Sequence, residues 1–243
     1  RYRPNRVVVA AAGNVEHDRL VAWAAEELGG LDGSAELPAA PPPVPAAGLR
    51  CVEKPLEQVH ICIGLPGIAY AADERYAAYV LNAALGGGMS SRLFQEVREK
   101  RGRAYSIYSF LSSYLDAGYL GIYAGTSAEW AEEVMRVSLG VIRDLANDGL
   151  TAAELSRVKN QMRGNILLGL EGSDSRMNRI ARNEIYFGAD VSIAELSARI
   201  DAVRHDDIVD LARRLVKPDE IGATLLGNLG AARVSDDVLG AIA

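Results

Sequence analysis

LGGGMSSRLFQEVREKRGRAY, Leu85 to Tyr105, decides more about this 243-residue chain than any other stretch. Three glycines lead into a short helix rich in charge, Gly102 ends that helix, and Tyr105 begins an aromatic strand. Arg98 stands near the helix end, and Tyr105 follows seven residues later. A turn at Gly102 folds the two toward a common point. There a guanidinium and a phenol are both able to donate hydrogen bonds to one carbonyl oxygen. No metal-ligand cluster, nucleophile or base accompanies them, so the stretch reads as half of an active site. A plainer reading stands beside it. Arg98 shares its helix with Glu96, Glu99, Lys100 and Arg101, the composition of a solvated face, and Tyr105 is also suited to anchoring a strand.

The glycines Gly86, Gly87 and Gly88 precede the helix at Ser91, and helix N-termini attract anions. The run lacks the Gly-Lys-Ser/Thr of a phosphate loop and the spacing of a dinucleotide fingerprint. The alternative is a turn that lets the backbone approach a ligand or a neighbouring element.

Outward from this stretch, the pattern divides the chain. Arg6 to Ala12 (RVVVAAA) reads as a buried strand, Gly13-Asn14 as a turn, and Glu16 to Leu28 as a helix with Leu20, Val21, Ala24 and Leu28 on one face. This strand–helix unit, residues 1–30, is too small to bury a core alone. Residues 31–48 carry Pro38, Pro41, Pro42, Pro43 and Pro45 among alanines and read as an extended linker. Residues 49–243 form the main domain. Leu49 to Leu65 reads as two strands around Pro55, and Asp73 to Leu85 as a helix. Tyr105 to Tyr114 and Gly118 to Ala124 read as strands joined at Asp116-Ala117-Gly118. Thr126 with Glu129, Thr151 with Glu154 and Ser192 with Glu195 fit helix-opening capping boxes. Helices follow over Ser173 to Phe187 and Asp206 to Val216, and Ile221 to Leu226 closes as a strand. The order predicts an α+β fold, mainly an antiparallel sheet with helices packed on one face.

Composition narrows the function. Hydrophobic residues make up 49% of the chain and charged ones 24%, the balance of a globular protein. A net charge of −6 argues against binding nucleic acid or an anionic membrane by bulk electrostatics. No apolar run approaches the length needed to span a bilayer, and no signal peptide is visible, so a cytoplasmic location is expected. The two cysteines, Cys51 and Cys62, make no disulfide framework, although a bridge is open if both lie on one hairpin. His17, His60 and His205 are too dispersed for a zinc site, and no serine-nucleophile elbow is present. An opening without Met suggests a fragment or a processed product.

The segments LGGGMSSRLFQEVREKRGRAYS (Leu85 to Ser106), VVVAAAGNVEHDRL (Val7 to Leu20) and LEQVHICIGLPG (Leu56 to Gly67) carry a resemblance. Across essentially the whole chain, it resembles the inverzincin metallopeptidases related to pitrilysin, insulin-degrading enzyme and mitochondrial processing peptidase, and in particular their bacterial members. The resemblance implies a two-domain subunit whose first domain bears an inverted His-x-x-Glu-His zinc motif. This sequence lacks that motif. It matches the tail of the first domain, the linker and the non-zinc-binding second domain. The resemblance further implies that Arg98 and Tyr105 polarise a peptide carbonyl at a zinc site on another half, and that Gly86, Gly87 and Gly88 contact an extended peptide. The cofactor implied is zinc in the full-length enzyme and none on this chain, which alone is expected to be inactive. The implied partners are peptide substrates, the first domain and a second subunit, most simply as a homodimer. A non-catalytic partner or scaffold subunit is the rival reading, and a small-ligand domain at the glycine loop is a third. Arg103 departs from the family pattern, which is apolar there, and is expected to add positive charge beside Tyr105.

Overall fold

Val59, Ile61, Ile63 and Leu65 alternate with His60, Cys62, Gly64 and Pro66, and the strand period of two sends the first set into a core. The structure, a computed structural model, describes residues 3–34, 41–231, 234–235 and 237–242. Residues 35–40 of the expected linker lie outside the described residues. The chain divides into two compact units, residues 43–162 with 197–243, and residues 1–42 with 163–196.

The larger unit holds a five-stranded sheet of β1 (Gly48–Glu53), β2 (Val59–Pro66), β3 (Ser106–Ser113), β4 (Gly118–Thr126) and β5 (Gly222–Gly227). Their spatial order is β1-β5-β2-β4-β3. Only the β1–β5 pair is parallel; the other three pairings are antiparallel. The expected mainly antiparallel α+β fold is therefore the observed one. The two strands around Pro55 form as expected but are not neighbours, because β5 inserts between them. Cys51 pairs in register with Leu225, and Cys62 with Thr224, so a whole strand separates the two thiols. Both are free.

One face of this sheet, with Ile61, Ile63, Leu120, Ile122, Ala223 and Leu225 all buried, meets helices. They are α2 (Arg75–Gly86), α3 (Ala131–Asp148) and α7 (His205–Leu215). Val134, Leu139, Ile142 and Leu145 form the apolar stripe of α3, and Ile208, Leu211 and Leu215 that of α7. Fully burying one such side chain is worth roughly 1.5–3 kcal/mol, so these stripes dominate the unit's stability. The sheet's other face carries Tyr108, Phe110, Tyr119 and Tyr123 in a run of ring contacts 5.1–6.1 Å between centroids.

Helix α4 (Ala152–Gly169) opens with the expected reciprocal cap: Thr151 N–H donates to Glu154 Oε2 at 2.8 Å, and Glu154 N–H to Thr151 Oγ1 at 3.2 Å. At α6 (Ile193–Ala202) Glu195 N–H donates to Ser192 Oγ at 3.1 Å, a bond of the expected box. The box expected at Thr126 does not form. Thr126 ends β4, and its hydroxyl donates to the Arg103 carbonyl at 2.5 Å. A 3-10 turn over Ala128–Trp130 precedes α3 instead.

In the smaller unit, α1 (His17–Leu28) and α5 (Ser173–Phe187) form where the sequence placed them. The strand expected over Arg6 to Ala12 is not observed. Pro4–Arg6 makes a 3-10 turn, and no residue from Val7 to Ala12 joins a sheet ladder. Val7 is extended, but a strand needs a hydrogen-bonded neighbour, and none is present among the described residues. Val8 and Val9 are accordingly 43% and 40% exposed.

Candidate functional site

Between α2 and β3, the apolar spacing of Leu93 and Val97 fixes the decisive segment, because both side chains are fully buried. Ser91 starts the turn, its buried hydroxyl donating to the Gly88 carbonyl at 2.5 Å. Phe94–Glu99 then winds as a π-helix, with Lys100 N–H donating to the Gln95 carbonyl five residues back at 2.9 Å. Such wide turns cluster at functional sites. Gly102, at φ +63°, closes the segment. Its N–H reaches the Arg98 carbonyl at 3.0 Å, and Arg103 N–H reaches the Val97 carbonyl at 3.0 Å. This is a Schellman-like closure widened by one residue in each bond, as the π turn requires. Ala104 is then buried, and Tyr105 faces outward at 76% exposure.

The closure brings the two expected residues together. The Arg98 guanidinium carbon lies 5.5 Å from the centroid of the Tyr105 ring and 4.9 Å from that of Phe94. Arg98 differs from the charges around it. Glu96 is taken by Lys100 Nζ at 2.5 Å and Arg101 Nη1 at 2.7 Å, and those two cations, Lys100 first, hold its carboxyl below the usual carboxylate range. Arg92 is taken by Glu154. Arg98 has no hydrogen bond or ion pair to any described residue, only the two ring contacts. The solvated-face reading fits its helix neighbours, whereas Arg98 presents a full set of free donors beside an exposed phenol.

Arg103 does not add charge beside Tyr105. Its guanidinium carbon lies 3.5 Å from the Trp130 ring centroid, and its buried Nε stands 3.1 Å from Glu133 Oε2. The charge is paired at the start of α3.

Each glycine of the run has a distinct place. Gly86 is buried at the end of α2, where an added Cβ would fall 2.2 Å from Ser109 N on β3. Gly87 is exposed and closes α2 through its N–H to the Ala83 carbonyl at 3.2 Å. At Gly88 an added Cβ would meet Gln161 Nε2 at 3.0 Å. None of the three has positive φ, so Gly86 answers to close helix–strand approach rather than to an unusual backbone angle.

His60 Nδ1 shares a 2.7 Å hydrogen bond with the Tyr123 hydroxyl, and His205 Nδ1 one of 2.9 Å with the Leu150 carbonyl. Burial pushes the Tyr123 phenol and the Cys62 thiol up, the former further by Tyr108 and Cys62. Among the described residues no group of three or more His, Cys, Asp or Glu could hold a metal. None of the described helices is long and apolar enough to cross a membrane.

Two features were not read from the sequence. Phe94, under Arg98, left a signal: an aromatic residue four positions before an arginine on a helix. The pairing of Arg92 with Glu154 spans 62 residues and left none.

Comparison with known proteins places this geometry in context. The family described as the peptidase M16 inactive domain matches residues 1–162. An uncharacterized zinc protease of Streptomyces coelicolor is 43% identical over 224 residues, covering 87% of this chain and 48% of that protein. One from Mycobacterium bovis is 42% identical over 238 residues, covering 96% and 54%. One from Bacillus subtilis is 36% identical over 218 residues, covering 90% and 53%. The chain thus spans about half the length of the curated relatives it matches. Among solved structures, a peptidase M16 inactive domain from Pseudomonas fluorescens superposes with a TM-score of 0.81 at 23% identity, over 91% of this chain and 53% of that one. A chain of complex III from Candida albicans does so at 0.80 and 21% identity, over 95% and 57%.

Proposed function

This chain belongs to the peptidase M16 family through that family's inactive domain, and from this premise we propose that it is the C-terminal half of a zinc-dependent metalloendopeptidase. In this reading it supplies substrate-binding and carbonyl-polarising groups to a composite site closed against another half. Arg98 and Tyr105 are the catalytic residues, and the Gly86–Gly88 loop borders the extended peptide. The observation that carries the reading is the pairing of a guanidinium with no hydrogen bond or ion pair to any described residue and an exposed phenol, on a hydrogen-bonded turn. Zinc, which the relatives' names imply for full-length members, finds no ligand set among the described residues of this chain.

What the chain's own residues do follows from the chemistry of acyl attack. As a peptide carbonyl is attacked, its oxygen gains negative charge. Arg98 N–H groups and the Tyr105 hydroxyl donate to that oxygen, more strongly in the transition state than in the ground state. Partners in this reading are peptide substrates, the zinc-bearing half and a second copy of the subunit, in a cytoplasmic setting.

Turnover by the full-length protein tests the proposal. Arg98→Ala and Tyr105→Phe should each lower kcat by about 10²–10³ with zinc content unchanged. Undiminished turnover in both removes the pair from the mechanism. A full-length wild type that binds no zinc and cleaves no peptide supports the scaffold-subunit reading, since the fold alone serves either role. Stoichiometric zinc on the present chain by itself would contradict the assignment of the metal to another half.

A further inference from the structure

Arg98 is held without spending a hydrogen-bond donor, and the residue that holds it from below is Phe94. Leu93 and Val97 are both fully buried, so the backbone between them is fixed by the core and Phe94 has a defined place. From there its ring centroid lies 4.9 Å from the Arg98 guanidinium carbon, with the Tyr105 ring at 5.5 Å. Arg103 pairs with Glu133 and also stacks on Trp130, whereas Arg92 and Arg101 are held by carboxylates and carbonyls alone. Arg92 donates to Glu154 and to the Gly149 carbonyl, and Arg101 to Glu96. An arginine fixed in that way has part of its fork occupied. One fixed through the faces of rings keeps its N–H donors free to meet an incoming oxygen. Fixing it matters, because the rotamer entropy of a free arginine side chain would otherwise be lost when the transition state forms.

We infer that Phe94 is a positioning residue for Arg98, its ring being the platform that fixes the guanidinium beside Tyr105 while leaving its donors unspent. The inference rests on the reading of Arg98 as a carbonyl-oxygen donor and deepens it. Phe94 and Arg98 stand four residues apart on the turn, a spacing that puts both side chains on one face.

The test has one arm that does not depend on catalysis. Phe94→Met and Phe94→Leu keep apolar bulk and remove the ring face; Phe94→Trp restores a face. In NMR of this chain, the Arg98 Nε–Hε resonance is assigned by its loss in Arg98→Lys. With Phe94 in place it is expected to be ring-current shifted and ordered. It should lose both the shift and the order in the Met and Leu variants and recover them in the Trp variant. In the intact protease the Met variant should lower kcat by about 3- to 10-fold with KM and zinc content unchanged, and the Trp variant should restore it. Unchanged Arg98 order in Phe94→Met, with the fold intact by circular dichroism, overturns the inference. Should Phe94→Met fail to fold, Phe94→Leu decides in its place. If Arg98→Ala leaves turnover untouched, the donor reading falls, while the NMR arm still judges the platform.

Discussion

Arg92 and Glu154 meet in a two-pronged ion pair, Nε to Oε1 and Nη2 to Oε2 both at 2.9 Å, with both side chains about four-fifths buried. The pair joins the start of the Arg98 segment to the turn between α3 and α4. The same Nη2 also donates to the Gly149 carbonyl at 2.7 Å, and Glu154 accepts from the Thr151 N–H and hydroxyl. One carboxylate therefore caps a helix and anchors the functional segment. Glu154→Gln keeps the shape but weakens one arm and leaves a guanidinium partly unpaired. It should destabilise the chain by about 1–3 kcal/mol, read as a lowered urea midpoint at unchanged slope. An unaltered midpoint would show that the pair adds nothing to stability.

The same carboxylate sets an acid limit. The Arg92 guanidinium, helped by Thr151, holds the Glu154 carboxyl at about 2, against its ordinary 4.5. The folded-state value is depressed, so below 4.5 the unfolded chain takes up this proton before the folded chain does. The stability it contributes is complete above 4.5 and drains as pH falls toward 2. Urea midpoints measured across that window should fall more steeply for the wild type than for Glu154→Gln. Parallel curves would mean that another carboxylate governs the acid transition.

Gly86 and Gly88 separate packing from loop function. A Cβ at Gly86 would fall 2.2 Å from a backbone nitrogen of β3, which cannot yield without moving the strand or the helix. At Gly88 the neighbour at 3.0 Å is the end of the Gln161 side chain, which can swing away. Gly86→Ala should cost about 1–3 kcal/mol by overpacking, and Gly88→Ala much less. A thermal melt of each variant checks the contrast. Equal losses would mean that the loop, not the helix–strand contact, sets the requirement at Gly86.

The features that were legible in the sequence were local ones. The Thr151–Glu154 cap, the bounds of α5 and the strands flanking Pro55 each rest on residues a few positions apart. The proximity of Arg98 and Tyr105 was legible because Gly102 marks the turn between them. What was not legible depended on distant partners or on backbone geometry. Nothing between Gly48 and Pro66 announces that β5, more than 150 residues later, will insert between β1 and β2. The hydroxyl of Thr126 had a capping pattern within reach, yet a strand end claimed it for the Arg103 carbonyl. Val7 to Ala12 has strand composition, but composition supplies no ladder partner. No propensity distinguishes the π turn at Phe94–Glu99 from an ordinary helical one.

If Arg98 and Tyr105 are there for chemistry, the fold should hardly notice their loss. Both are exposed, and among the described residues Arg98 makes only ring contacts, which at exposed sites are worth about 0.5–1 kcal/mol. Arg98→Ala and Tyr105→Ala should each shift unfolding free energy by less than about 1 kcal/mol. Leu93→Ala, one residue before Phe94 and fully buried, should cost about 2–5 kcal/mol. Chemical denaturation of the three variants under one condition makes the comparison. A large loss at Arg98 would show that it is a structural arginine and would remove the reason for assigning its free donors to a substrate.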